Sequence, residues 1–346
     1  MHRAPSRPDV HREASLYSWL AVSQIASDPG MPSISVVICA YTEARWSDLT
    51  EAIASVNMQS LPPLETVVVI DHNPDLSTRA RRDLVGIIVV DNAEERGLSG
   101  ARNSGIRATH GDVIAFMDDD AMAGPDWLKE LRAAYNNASV MAVGGSILPM
   151  WLRRRPTWFP EEFDWVVGCT YLGMPTRSTI VRNVIGCNMS FRREVFDAVG
   201  GFSSGIGRLG SRPLGGEETE LCIRAQRRWP DRSIVYEPRA MVRHRVPASR
   251  GTLGYFRARC YAEGLSKATI SRRLGANQAL ATERQYAVRT LGRGIVRNLI
   301  ATVRERDLEG ARRAAAIIVG LATTSIGYLV GTTSGLVTEP TVASNR

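Results

Sequence analysis

Apolar residues in this chain gather into short unbroken runs, separated by stretches whose apolar positions recur at helical spacing. Ile34–Ala40 (ISVVICA), Glu65–Ile70 (ETVVVI), Gly86–Val90 (GIIVV) and Val113–Met117 (VIAFM) each read as a buried strand. Between them, Asp48–Met58 places Leu49, Ile53 and Val56 on one helical face before Pro62-Pro63 closes the region. Gly97–Ala108 reads as a glycine-led loop entering a helix. Strands alternating with helices predict an α/β fold with a mostly parallel sheet covered on both sides. Further on, the pattern predicts a helix from Pro125 to about Tyr135 and a strand over Val140–Leu148. A helix over Arg193–Val199 stops at Gly200-Gly201, and mainly helical segments follow Arg250.

The ends differ from this core. Residues 1–32 are polar, contain Pro5, Pro8 and Pro29, and lack the apolar stretch of a secretion signal. They read as a loose arm with room for one short helix around Leu16–Ile25. Ala314–Thr338 has no charged residue, follows Arg312-Arg313 and precedes Glu339. It is long enough to cross a bilayer, which takes about 20 apolar residues. Its many threonines, serines and glycines equally suit a helix lying on a membrane or packed on a core. The division expected is an arm (1–32), a catalytic domain (33–250) and a helical C-terminal region (251–346) with a membrane-associated segment at 314–338.

Composition narrows the class only modestly. With 346 residues, 44% hydrophobic and 23% charged, the chain is an ordinary globular protein large enough for a sizeable core. The net charge of +8 suits a phosphorylated substrate or an anionic membrane surface. No basic block interleaved with aromatics supports a single-strand nucleic-acid binder, so no nucleic-acid partner is expected. Five scattered cysteines without a C-x-x-C pair suit a reducing cytosol and give no local support to a zinc site.

The chemistry concentrates at strand ends. Asp118-Asp119-Asp120 follows directly on Val113–Met117, and three carboxylates there repel one another unless something positive joins them. In an open α/β sheet the carboxyl ends of the strands form the ligand crevice. Glu43, Asp71 and Asp91 stand at other strand ends. A hard divalent cation carrying a phosphate ligand would satisfy this set. A solvated acidic turn capping a helix is the plainer alternative.

Four stretches taken in order carry a resemblance: SVVICAYTE (Ser35–Glu43), VVVIDHNPD (Val67–Asp75), GLSGARNSGIRATHGDVIAFMDDD (Gly97–Asp120) and GGEETELCIR (Gly215–Arg224). Together they resemble the family 2 glycosyltransferases of GT-A fold, over roughly Ser33 to Pro247. The stretch IGCNMSFRREVFDAVGGF (Ile185–Phe202) is similar to bacterial enzymes of the glucosyl-dolichyl-phosphate glucuronosyltransferase type. The resemblance implies a Rossmann-like nucleotide-binding sheet, mixed strands on the acceptor side and a helical C-terminal region.

It also implies roles. Ala40, Tyr41, Thr42, Glu43 and Asp71 correspond to positions that bind base and ribose. Gly97, Arg102 and Asn103 correspond to the loop over ribose and diphosphate. Asp118 and Asp120 match the D-x-D pair, with Asp119 beside them on the donor, and Asp120, Asp118 and His244 would hold Mg²⁺ or Mn²⁺. Glu217-Glu218 stands where the family usually has Glu-Asp, and Glu218 takes the position of the general base. Trp158, Asn188 and Arg192 fall on the acceptor side, with Trp151 and Trp165 as further candidate wall residues. Arg250, Tyr255 and Arg259 suit phosphate or a membrane surface.

The function expected is inverting sugar transfer from a nucleotide-sugar donor, UDP-linked by preference, to a hydroxyl of a glycan or polyprenyl-linked acceptor. The setting is cell-envelope or polysaccharide synthesis, at the inner face of the plasma membrane. The rivals are a nucleotidyltransferase and a non-catalytic nucleotide- or sugar-binding module. The first should carry a basic, glycine-rich triphosphate loop after the first strand, where this chain has Ala40–Glu43. The second has no need of Glu218.

Overall fold

A computed structural model describes residues 30–204, 215–275, 286–304 and 306–333. Residues 1–29, including the helix considered around Leu16–Ile25, and residues 334–346 lie outside the described residues. The first half alternates as its apolar runs require. In order come β1 (Ile34–Ala40), α1 (Trp46–Asn57), β2 (Glu65–Ile70), α2 (Pro74–Asp83), β3 (Ile88–Asp91), α3 (Leu98–Ala108) and β4 (Val113–Asp118). β1 pairs parallel with β2 on one side and with β4 on the other, and β3 extends the sheet beyond β2. Val36, Ile38, Val68, Ile70 and Val113 are buried toward one layer of helices, and Val37, Val67, Val69 and Ile114 toward the other. This two-sided burial is why these strands read as unbroken apolar runs.

The second half adds strands of mixed direction: β5 (Ala121–Ala123), α4 (Trp127–Ala134), β6 (Val140–Trp151), β7 (Thr179–Ile180), β8 (Asn188–Arg192), α5 (Arg193–Val199), α6 (Glu217–Arg228) and β9 (Ser233–Val246). The sheet runs β3-β2-β1-β4-β8-β6-β9-β5, with β7 beside β9. β8 lies antiparallel to both β4 and β6, so the parallel character expected for the nucleotide half ends at β4. The order turns about β1 and β4, and their carboxyl ends open one crevice.

Several boundaries differ from the sequence reading. The third strand starts at Ile88, because Gly86 sits at a left-handed φ of 75° and makes the turn before it. The strand expected at 140–148 continues to Trp151, carried along by parallel pairing of Ile147–Trp151 with Val242–Val246. His244 lies inside the 14-residue β9, near its C-terminal end.

Helices close the fold: α7 (Leu253–Leu274), α8 (Gly292–Arg304) and α9 (Leu308–Thr333). Among the described residues α9 is the one helix long and apolar enough to cross a bilayer. It lies along α7, at a distance only small residues permit. A Cβ on Gly327 would stand 2.2 Å from the Tyr261 carbonyl oxygen, and one on Gly264 would stand 2.1 Å from that of Thr324. Over the described residues 314–333 the helix packs on α7 through one face and leaves Ile318, Val319, Ile326 and Leu329 exposed.

Gly327→Val should therefore separate α7 from α9. Overpacking of this kind costs about 1–3 kcal/mol, read as a fall in the Tm of thermal unfolding. An unchanged Tm would contradict the close crossing.

Candidate active site

The carboxyl ends of β1 and β4, the N-terminus of α6, the middle of β9 and one face of α7 enclose a cavity of about 590 Å³. The acidic triplet forms its floor, and each carboxylate meets a cation from a different part of the chain. Asp118, the last residue of β4, lies 3.7 Å from the guanidinium of Arg102 on α3. Asp119 Oδ1 accepts a hydrogen bond of 2.9 Å from Arg45, in the turn after β1. Asp120 is met by His244 Nε2 at 3.1 Å, Arg45 at 3.2 Å and Arg250 at 3.7 Å.

β9 makes this possible by register. Ala121 pairs opposite His244, and the Arg245 amide donates to the Asp120 carbonyl at 2.9 Å. Exposure then separates the three aspartates. The Asp118 side chain is 32% exposed, whereas those of Asp119 and Asp120 are 5% and 6% exposed. Burial, reinforced by the Asp120 charge, pushes the Asp119 carboxyl up to about 7. Burial acts the same way on Asp120, but His244, Arg45 and Arg250 outweigh it and hold that carboxyl well below its ordinary range.

The opposite wall carries the second acidic pair. Gly216, at φ 97°, turns the chain into α6, so Glu217 and Glu218 occupy its first turn, where the helix dipole favours negative charge. Glu217 is buried and accepts from Arg102 Nη1 at 2.8 Å. Arg102 also donates to the Gly186 carbonyl at 3.1 Å, so one buried guanidinium ties the β4 end to the α6 end. Glu218 lines the cavity and is half-buried. Desolvation by the surrounding wall, then the neighbouring Glu217 carboxylate, push the Glu218 carboxyl up to about 8.

A third side comes from α7. Arg259, Glu263 and Lys267 recur at four-residue spacing and line the cavity together. Glu263 accepts from Arg259 at 2.9 Å and lies 3.2 Å from the Lys267 ammonium. Burial opposes its charge, yet these two cations hold it down at about 2. The Arg259 guanidinium also lies over the Trp165 ring, 5.6 Å from its centre.

Of the residues singled out from sequence, Ala40, Tyr41, Asp71, Gly97, Arg102, Asp118, Asp119, Asp120, Glu217, Glu218 and His244 line this cavity. So do Trp165, Arg250, Tyr255 and Arg259. Asp71 accepts from the Gly97 amide at 3.0 Å and from Asn92 at 2.7 Å, which fixes the glycine loop at the mouth.

Eight others lie outside the lining, among them Trp151, packed against Phe159, and Asp91, paired with Arg81. Thr42 caps the short turn Glu43–Arg45 through the Ala44 amide, and Glu43 points from that turn to solvent. Asn103 clamps Phe202, accepting from its amide at 2.8 Å and donating to its carbonyl at 2.9 Å. Trp158 packs in an aromatic cluster with Phe159 and Phe256. Asn188 is fully buried, bonded to Trp127 Nε1 and to the carbonyls of Ser146 and Ala240. Arg192 is spent on the carbonyls of Val140 and Tyr135. In this structure Trp158, Asn188, Arg192, Thr42, Glu43 and Asn103 make these contacts and do not line the cavity.

Arg45, Arg96, Glu263 and Lys267 were not singled out from sequence. The spacing 259, 263, 267 could have flagged the α7 row. Arg45 has no local signal, because its partners lie more than 70 residues away.

The donor chemistry fits a hard divalent cation. Asp118 and His244 offer ligand atoms within 4.8 Å of each other and of the Cys187 sulfur. Burial pushes the Cys187 thiol well above its usual range, so it offers no thiolate. Carboxylate oxygens with an imidazole suit Mg²⁺ or Mn²⁺. Asp119 Oδ2 is also buried beside them without a hydrogen-bond partner.

The family model for glycosyl transferase family 2 matches residues 35–200. The chain is 35% identical over 302 residues to the glucosyl-dolichyl phosphate glucuronosyltransferase of Haloferax volcanii, covering 86% of this chain and 96% of that protein. It is 24% identical to the succinoglycan biosynthesis protein ExoM of Rhizobium meliloti, covering 67% of this chain and 72% of the relative. In fold it matches the mannosyltransferase PcManGT of Pyrobaculum calidifontis, solved with GDP-Man and Mn²⁺. There the TM-score is 0.54 at 17% identity, over 91% of this chain and 95% of that one. These matches bear out the resemblance to the family and the GT-A architecture.

Two outcomes follow from the electrostatics. Arg102→Leu leaves Asp118 and Glu217 without their shared cation, and removing one partner of such a buried set costs about 3–5 kcal/mol, measurable by denaturant unfolding. For Glu218, the unfolded carboxyl gives up its proton near 4.5, while the folded one holds it to about 8. Stability is therefore lost as pH rises through that window. Glu218→Gln should leave Tm unchanged near pH 4 and raise it at pH 8; a lower Tm at pH 8 would contradict the assignment.

Proposed function

The chain belongs to glycosyltransferase family 2, and on that premise we propose that it transfers a sugar from a nucleoside-diphosphate sugar to a hydroxyl acceptor by single displacement with inversion. The observation that supports this most is the shared cavity. It brings the aspartate end of β4 and the Glu217-Glu218 end of α6 to face each other across Arg102. Ala40, Tyr41 and Asp71 at the neighbouring strand ends take the nucleoside, and Gly97 and Arg102 lie along the diphosphate. The catalytic unit comprises residues 33–250, and the helices after it supply the α7 wall.

Asp118, Asp120 and His244 hold Mg²⁺ or Mn²⁺, which when bound neutralises charge on the leaving nucleoside diphosphate. Glu218, as carboxylate, takes the proton of the acceptor hydroxyl. The acceptor oxygen bonds to the anomeric carbon, and the bond to the diphosphate oxygen breaks. The elevated Glu218 suits this step, because a base with affinity near the working pH both loses and accepts a proton readily. Glu217, locked to Arg102, keeps that carboxylate in place.

The donor proposed is a UDP-linked hexuronate and the acceptor a polyprenyl-phosphate-linked sugar. This reading is supported by the Haloferax relative and by the arginines and lysine around the cavity. Such an acceptor places the enzyme peripherally at the inner face of the plasma membrane.

The decisive experiment is a donor screen with UDP-glucuronate, UDP-glucose and GDP-mannose, in the presence and absence of Mn²⁺. Glu218→Gln should retain donor binding and lose transfer by about 10²–10⁴-fold. Asp118→Ala should abolish metal-dependent donor binding. The rate of the unaltered enzyme should climb with pH toward about 8 as Glu218 ionises. Full transfer activity in Glu218→Gln would remove that residue from the base role.

A further inference from the structure

α8 carries a surface that the reaction does not use. It turns Gly294 and Asn298 into the protein and leaves Val296, Leu299, Ile300 and Val303 exposed, at 56%, 48%, 44% and 81%. At about 100° per residue, these four fall on one side of the helix, as a stripe about 100° wide. Arg293, Arg297 and Arg304 fall together on the strip beside it, and all three are exposed. The helix contains no aspartate or glutamate. Soluble surfaces seldom show a clustered row of large apolar side chains, and a row edged by arginines alone matches the profile of a helix lying in a lipid interface.

The helix is held in place for that role. Arg297 reaches the fully buried Glu162 at 3.0 Å, and a Cβ on Gly294 would stand 2.1 Å from the Glu162 carboxylate. Asn298 Oδ1 accepts from Arg313 of α9 at 2.7 Å. The inner face of α8 is thus fixed to the body while its apolar row points outward.

We propose that α8 docks in the plane of an anionic lipid surface, with Val296, Leu299, Ile300 and Val303 entering the acyl boundary and Arg293 and Arg304 contacting acidic headgroups. This deepens the peripheral placement given above and rests on it. It assigns the contact to α8 rather than to α9, whose apolar length first draws attention. The arginine edge argues for lipid over a second copy, since α8 facing α8 would bring like charges together.

The test uses the full chain with vesicles of phosphatidylcholine alone and of phosphatidylcholine mixed with phosphatidylglycerol, read by co-sedimentation without substrate. The unaltered protein should bind the mixed vesicles more tightly, and salt should weaken that binding. Ile300→Ser with Val303→Ser should weaken binding to the mixed vesicles by at least about tenfold. Arg293→Gln with Arg304→Gln should lower affinity for the mixed vesicles on the order of tenfold and leave the neutral ones unaffected. All four side chains are exposed, so an unchanged Tm should confirm intact folding. Full vesicle binding by both variants would overturn the proposal and assign the contact to α9. Loss of a dimer in Ile300→Ser/Val303→Ser, with vesicle binding intact, would overturn it in favour of a second copy. Donor turnover reads the reaction separately, so failure of one reading leaves the other distinguishable.

Discussion

Three carboxylates in a row at the end of a buried strand are the constraint around which this molecule is organised. Uncompensated, Asp119 and Asp120 would each carry a desolvation cost of several kcal/mol. The chain answers with groups drawn from distant segments: the guanidinium groups of Arg45 after β1, Arg102 on α3 and Arg250 beyond β9, and the His244 imidazole within β9. Each pairing fixes an element. β9 must return beside β5 for His244 to reach Asp120, and α3 must press its N-terminal half against the α6 end for Arg102 to touch both acids. The ion pairs therefore do more for position than for net stability, since well-packed apolar groups could stabilise a fold equally well.

The same arrangement sorts the acids by environment. Asp120 is surrounded by positive charge and held ionised, whereas Glu218 has a carboxylate neighbour and a poorly solvated wall and is pushed the other way. Two carboxylates displaced in opposite directions within one cavity is the pattern of an acid used for its charge set against an acid used for its proton. Glu263 is a third case. It lines the cavity too, but Arg259 and Lys267 hold it at about 2. Such a carboxylate cannot hold a proton near neutral pH, and it serves to orient the two cations that flank it.

How much of this the sequence disclosed follows from the range of each interaction. The parallel half of the sheet was legible because two-sided burial writes itself as unbroken apolar runs, as in Ile34–Ala40 and Val113–Met117. The acid triplet was legible because charge at a buried strand's end is locally anomalous, and Glu217-Glu218 was legible through the resemblance that the ordered motifs carry. Of the groups that meet them, Arg102, His244 and Arg250 came with the resemblance, whereas Arg45 did not: it resembles any surface arginine until β1 and β4 are paired. β9 buries Ile234, Tyr236, Ala240, Val242 and Val246 in alternation, but Glu237-Pro238 interrupts the pattern midway and Arg239, Arg243 and Arg245 dilute it. The resemblance set Asn188 and Arg192 on the acceptor side, and here both side chains satisfy backbone carbonyls where strands of mixed direction meet.

α7 joins the two surfaces on which the enzyme's work depends. Arg259, Glu263, Ser266 and Lys267 face the cavity, while Tyr261 and Gly264 meet the backbone of α9 at distances that exclude any side chain between them. A single helix of 22 residues thus forms a wall of the site and the seat of the C-terminal helices. An acceptor with a lipid tail demands such a connection. In the proposed reaction the acceptor sugar has to reach Glu218 while its polyprenyl chain stays in the bilayer, which asks for a constant distance between site and membrane. Loops at this junction would let that distance wander. Glycine-mediated packing of α9 on α7, with α8 pinned through Glu162 and Arg313, makes it rigid. Under the proposed function the helical region would contribute to specificity as well as attachment, because it would set how far from the lipid surface a hydroxyl stands when it meets Glu218.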